Sequence, residues 1–291
     1  MKKIVNVPYL GYKTHCIIYG DLSKGIPLIL MHGGPGGAIE RYEALSELEK
    51  RGIPCIFYDQ LGCGYSRVPK GHLELWTYKT YIDELENLIK YFGLKRFNLL
   101  GHSWGGMLAL EYLTSNVDIK GLNKVVLFST LPSTWIWNEE HLRMIESFPK
   151  EEKEALRNEY EGKPFDKVSH KKGIKRFYNE HVGKKSDKKY VSKRKRFPKT
   201  NKEIYEYMWG PSELFGTGTL KYWDTIDRLH LIKYPTLIIS GKYDESTPKI
   251  NELMNQKIPN SKWILLEHSH HGGYNEEPDK VLDEISKFLK D

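Results

Sequence analysis

A chain of 291 residues with 39% hydrophobic and 12% aromatic content can bury one large core or two modest ones and should fold without staples. Its three cysteines, Cys16, Cys55 and Cys63, are odd in number, scattered and free of CxxC or Cys/His ligand spacing, which argues against a disulfide framework or a zinc site and for reduced thiols in the cytoplasm. The net charge of +7 is local: residues 150–202 hold 19 Lys/Arg against 8 Asp/Glu, while the rest of the chain is slightly acidic.

The basic run SKRKRF, 192–197, reads as a solvated helical face and not as a nucleic-acid surface. The N-terminal MKKIVNVPYLGYKTH lacks a continuous apolar core, and nowhere do 18 apolar residues run together, so neither a signal peptide nor a membrane span is expected. Residues 4–10 and 14–20 alternate loosely around Gly11 and predict an edge hairpin. IPLILMHG, from residue 26, is a nearly continuous apolar run ending in glycines, as expected of a strand buried on both faces. HGGPG (32–36), a helical stretch to Lys50 and a second buried strand at 53–59 follow, then the glycine-bearing loop QLGCGYS and an amphipathic helix predicted over 75–92.

FNLLGHSWGGMLAL, 97–110, runs a short apolar strand directly into a helix, and KVVLFS, 124–129, continues the alternation. Strand and helix alternating at this rhythm imply a mostly parallel sheet covered on both faces. The rhythm stops near Pro132. From there to 220 the sequence predicts helices rich in Lys, Glu, Tyr and Trp, read as a helical lid (132–220) inserted between two parts of a sheet domain, 1–131 and 221–291. Buried strands return at 234–241 and 262–267, before a final amphipathic helix over 278–289.

Gly101, His102, Ser103, Trp104 and Gly105 form GxSxG, a pattern that places a serine on a tight strand-to-helix turn, with glycines where the two elements approach closely. A serine hydroxyl becomes a useful nucleophile only when a base takes its proton and a third group fixes the base. In an α/β-hydrolase these follow along the chain as serine, acid, histidine, the last two after late strands. Asp244 follows the strand at 234–241, and His268, His270 and His271 all follow 262–267 as candidate bases. HGGPG follows the first strand of the parallel series, at the edge where such sheets bind ligands. The N–H groups of Gly34 and of Trp104, the residue after the serine, are therefore the expected oxyanion hole. Chemistry of this kind needs no metal or organic cofactor.

HGGPG, DQLGCGYS, GHSWGGMLALEY, GPSE, GTLKYWD, GKYDESTP and the terminal His/EEP segment together resemble the proline iminopeptidase family of α/β-hydrolase serine peptidases, over essentially the whole chain. Within it, the chain is most similar to archaeal aminopeptidases that trim short peptides beside the tricorn protease. The resemblance implies Ser103, Asp244 and His271 as the triad, with His271 favoured over His270 because four residues separate the family's histidine from an acidic pair, here Glu276 and Glu277. It also implies that Glu213 and Glu245 hold the substrate's α-ammonium, that the substrates are short peptides with a free N-terminus, and a functional link to a larger peptide-producing protease. Leu61 departs from the family by standing where an arginine is common. Trp135, Trp137, Tyr205, Tyr207 and Trp209 are candidates for either a pocket wall or lid core. Two rivals are an esterase or acyl amidase without amine recognition, and a non-catalytic binding protein with a basic lid for an acidic partner.

Overall fold

The computed structural model describes residues 2–115, 118–183 and 200–290. The basic run at 192–197 lies outside them. Eight strands form one sheet in the order β1-β2-β4-β3-β5-β6-β7-β8. They are β1 Lys2–Tyr9, β2 Tyr12–Tyr19, β3 Leu28–Met31, β4 Cys55–Asp59, β5 Phe97–His102, β6 Leu122–Phe128, β7 Thr236–Gly241 and β8 Ser261–Leu266. The expected hairpin pairs β1 with β2 antiparallel, β2 meets β4 antiparallel, and every other pairing is parallel.

Strands β3 to β7 are buried throughout apart from two positions in β6, as their unbroken apolar runs require. β8 departs from its reading as a buried strand: it is the sheet's edge, and five of its six residues are partly or fully exposed. The long helix also starts later than its apolar spacing predicts. Leu73–Leu75 is a separate 3₁₀ turn, and α1, Tyr78–Tyr91, begins where the Thr77 side chain accepts from the Thr80 N–H. The helical stretch after HGGPG is 3₁₀ over Ile39–Arg51, interrupted at Tyr42.

Helix α2, Trp104–Ser115, runs beneath the sheet with its first eleven residues buried. Between β6 and β7 come α3 Thr134–Met144, α4 Lys150–Tyr160, α5 Lys167–Phe177 and α6 Lys202–Met208, and no strand among the described residues. This helical segment has a small core of its own, built from Ile145, Phe148, Leu156, Phe177, Leu214 and Phe215. Its two ends are tied together by Thr134 N–H to Trp223 O at 3.0 Å and Thr225 N–H to Pro132 O at 2.8 Å. Helices α7 Pro248–Lys257 and α8 Pro278–Lys290 complete the layers on the sheet.

The two motif glycines are dictated by packing. A Cβ on Gly101 would meet the Gly105 carbonyl, and one on Gly105 would meet the carbonyl of Met31 at the end of β3. Backbone cannot yield as a flexible side chain can, so Gly105→Ala is expected to lose on the order of 2 kcal/mol or more, lowering Tm by about 5 °C or more. A melting curve superimposable on the wild type's would contradict this account of the turn.

Candidate active site

Ser103 stands between β5 and α2 with φ of 55°, a left-handed conformation that costs a non-glycine residue strain. The surrounding backbone imposes it. Ser103 N–H donates to Phe128 O at 3.0 Å, and Ser103 O accepts from Thr130 Oγ1 at 2.7 Å and from Gly106 N–H at 2.8 Å.

Asp244, on the loop after β7, is 1% exposed. Its Oδ2 accepts from Ser129 Oγ at 2.5 Å and Gly241 N–H at 3.3 Å, and its Oδ1 from Ser246 N–H at 2.8 Å. The remaining partner of Oδ1 is His271 Nδ1, 2.9 Å away. The three candidate histidines thus separate cleanly. His270 pairs with Glu276, Nδ1 to Oε1 at 3.0 Å, and His268 is exposed; only His271 meets Asp244. The acidic pair acts on this loop: Glu276 Oε2 accepts from His270 N–H at 2.6 Å, and Glu277 Oε2 from Ser269 Oγ at 2.6 Å. Burial alone would lower the His271 pKa, but the charge and hydrogen bond of Asp244, with Glu213 and Glu276 behind them, outweigh it and leave the ring above its usual 6.5.

A second network, not visible in the sequence, ties the HGGPG loop to the His271 loop. Gly33 N–H donates to Tyr42 Oη at 2.7 Å, Tyr42 Oη lies 3.0 Å from His102 Nδ1, and His102 Nε2 lies 3.0 Å from His271 O. Burial holds the His102 pKa well down, so its ring is neutral, and the network fixes its tautomer: Nε2–H donates to His271 O while Nδ1 accepts from Tyr42. Because Gly33 N–H is taken up by Tyr42, the next amide in the loop is that of Gly34, which has φ of 141°. His32 braces the same loop, Nδ1 to Gly33 O at 2.8 Å, with Nε2 accepting from Gln60 N–H at 3.0 Å. The Gln60 side chain accepts from Trp104 Nε1–H at 2.9 Å and donates Nε2–H to His32 O at 3.0 Å, which joins the two expected oxyanion elements through one side chain. Leu61 packs fully buried beside Glu84, where an ion pair is absent among the described residues. Glu84 instead accepts from Leu61 N–H at 2.9 Å and Thr14 Oγ1 at 2.5 Å, and burial raises its pKa to about 8.

A cavity of about 800 Å³ lies over the carboxyl edge of the sheet and is lined by Gly34, Ser103, His271, Glu213 and Glu245 among others. Glu213 Oε2 accepts from Tyr205 Oη at 2.6 Å. Glu245 is fully buried, its two carboxylate oxygens have no hydrogen-bond partner among the described residues, and Oε1 lies 3.5 Å from His271 Nδ1. Burial, then the charges of Glu213 and Asp244, push its pKa well above the ordinary value. Of the five candidate aromatics, only Tyr205 lines this cavity. Trp137 and Trp209 are buried edge-to-face against each other at 5.7 Å, Tyr207 packs on the main core, and Trp135 is 52% exposed.

The sequence matches the family described as alpha/beta hydrolase fold over residues 26–278. It is 39% identical over 287 residues to a proline iminopeptidase of Lactobacillus helveticus (strain DPC 4571), covering 97% of this chain and 96% of that one. It is 36% identical over 284 residues to a proline iminopeptidase of Clostridioides difficile (strain 630), with the same shares covered. Among solved structures, the proline iminopeptidase of Mycobacterium smegmatis superposes with a TM-score of 0.85 at 28% identity, covering 99% of this chain and 98% of that one. VinJ does so with a TM-score of 0.86 at 30% identity and the same coverage. Fold and sequence together define an α/β-hydrolase. Within that class the chain belongs to the proline iminopeptidase family.

His271 should titrate with a midpoint above 6.5 when its ring is followed by NMR, because the neighbouring carboxylates favour the imidazolium. Asp244→Asn removes the largest raising contribution and is expected to move that midpoint down. An unchanged midpoint in this variant would contradict the coupling.

Proposed function

We propose that this chain is a serine aminopeptidase of the proline iminopeptidase type, releasing N-terminal residues, proline among them, from short peptides. One observation carries the reading. At the cavity wall beside Ser103 and His271, a fully buried Glu245 carboxylate with no hydrogen-bond donor among the described residues faces the same space as Glu213. A buried carboxylate in this state favours a cation that brings its own donors. The α-ammonium of a peptide fits: it is positive near neutral pH, and the secondary ammonium of an N-terminal proline carries two N–H groups for two carboxylates.

In this mechanism the ammonium is held by Glu213 and Glu245, which presents the first carbonyl to Ser103. Ser103 Oγ attacks that carbon while His271 Nε2 takes the hydroxyl proton, and Asp244 holds the Nδ1–H side of the ring. The oxyanion receives the N–H groups of Gly34 and Trp104, a donor of this kind being worth about 10²–10³ in turnover. The C–N bond then breaks as His271 gives its proton to the departing amine. Water, deprotonated by the same imidazole, hydrolyses the acyl-enzyme and frees the N-terminal residue. Residues 132–220 serve as a lid: Tyr178, Tyr205 and Glu213 reach the cavity from it, so the ammonium site is shared between lid and core. A blocked amine loses this recognition and leaves two carboxylates unpaired.

Substrates of this kind are products of a larger peptide-producing protease, which would act upstream. Cys16, Cys55 and Cys63 are buried and unpaired, which suits a reducing compartment and supports a cytoplasmic location. No helix of the described residues is long and apolar enough to cross a membrane.

The test is a panel of prolyl, alanyl, leucyl and phenylalanyl amides, each with a free and an acetylated amine, beside short-chain esters. Among the amides, turnover confined to those with a free amine is expected, with Ser103→Ala lowering kcat by about 10⁴-fold or more. Glu213→Gln and Glu245→Gln should each lower kcat/KM for free-amine substrates by about 10- to 150-fold, the range for a lost charge-assisted hydrogen bond. Equal turnover of acetylated and free amides would replace this reading with that of an esterase or acyl amidase.

A further inference from the structure

Glu213 and Glu245 come from different parts of the chain, one on the loop after α6 and the other on the loop after β7, and a two-point ammonium site requires their separation to be fixed. Helix α3 spans the gap. One side of the helix grips the first loop: Asn138 Nδ2–H donates to Gly216 O at 3.1 Å, and Gly216 N–H donates back to Asn138 Oδ1 at 2.9 Å. The other side grips the end of the second and the first turn of α7: the fully buried Glu140 accepts from Thr247 Oγ1 and from Lys249 Nζ, each at 2.9 Å.

His141 touches both. Its Nδ1 lies 2.6 Å from the carbonyl oxygen of Leu214, the residue after Glu213, and its Nε2 lies 3.0 Å from the carbonyl oxygen of Glu245 itself. Burial lowers its pKa to about 4, so the ring is neutral: its single N–H donates to one of these carbonyls while the other nitrogen only abuts the second. The ring is fully buried, packed against Trp137 at 4.2 Å and Phe177 at 4.9 Å between centroids, so it has little freedom to follow a shift of either loop.

We propose that His141 is a positioning residue for substrate recognition: by bridging the backbones behind Glu213 and Glu245, it sets the spacing of the two carboxylates that receive the α-ammonium. The inference rests on the ammonium reading of those glutamates and adds the residue that makes their pair a rigid receptor. His141 touches neither Ser103 nor His271 through any hydrogen bond described, so its replacement acts on amine recognition and leaves the acyl-transfer groups in place.

The experiment compares His141→Gln and the volume-matched His141→Phe with Trp137→Phe, which alters the packing against the ring but not its two carbonyl contacts. Each is assayed on a prolyl amide with a free amine and on an amine-free acyl ester, with a melting curve alongside. Loss of a buried bridging hydrogen bond predicts a rise in KM for the prolyl amide, with kcat/KM falling by about 3- to 12-fold in both His141 variants. The ester should be turned over at an unchanged rate, and Trp137→Phe should affect both substrates alike. In a Glu213→Gln background, where the receptor is already broken, His141→Gln should have almost no further effect on the prolyl amide. Equal losses on both substrates, or full additivity with Glu213→Gln, would show a structural role only and overturn the inference while leaving the ammonium reading intact. Should one His141 variant fail to fold, the other supplies the same comparison. A wild-type enzyme that cleaves acetylated and free prolyl amides alike overturns both.

Discussion

A buried carboxylate without a donor is the constraint on which this site turns. Taking a charge out of water costs several kcal/mol unless partners compensate, and Glu245 sits beside two further acids, Asp244 and Glu213. Its pKa rises in response, so burial and the neighbouring acids shift Glu245 towards its protonated form. The ammonium of the proposed substrate would reverse that balance. The same cation offsets Glu213, whose charge is one of those raising the His271 pKa, so an occupied site also favours the neutral imidazole required of a base. In the proposed mechanism, recognition and catalysis are thereby coupled through one electrostatic field.

The scaffold supplies fixed edges for this field. Parallel strands end together, so the loops after β3, β5, β7 and β8 converge at one rim. The strained Ser103 is held by a backbone bond to β6 and by the Thr130 hydroxyl just beyond it, and Asp244 is held through Ser129 from the end of the same strand. Tyr42 and His102 carry a separate chain of hydrogen bonds from the Gly33 amide to the His271 carbonyl. Oxyanion loop, nucleophile and imidazole are thereby braced without any bond that uses their reacting atoms.

Much of this was legible in the sequence where steric necessity leaves few choices. Gly101 and Gly105 announce the turn because backbone occupies the space a side chain would need. The buried strands announce themselves because a sheet covered on both faces tolerates no polar alternation. Boundaries were less legible: the apolar spacing of Leu75 runs on into α1, and only the Thr77 cap separates them. β8 matches its buried neighbours over Trp263 to Leu266, and within it only the exposed Lys262 hints at the edge. The residues of the His268, His270 and His271 cluster did not discriminate among themselves; family resemblance favoured His271, and in the structure Glu276 engages His270 while Asp244 meets His271. Tyr42, His102, Ser129 and His141 gave no local signal, since each works through a partner distant in sequence. Trp137 and Trp209 show the reverse, being conspicuous aromatics that prove to be core.

The most direct test of the central claim is proton release on binding an uncleavable pyrrolidinium cation such as prolinol, measured by titration calorimetry in buffers of different ionisation enthalpy at pH 7. Linkage predicts net proton release on binding, because the cation opposes the raised pKa of Glu245, with a reduced release and loss of most of the affinity in Glu245→Gln. Undiminished binding by Glu245→Gln, with no proton released from the wild type, would contradict the account.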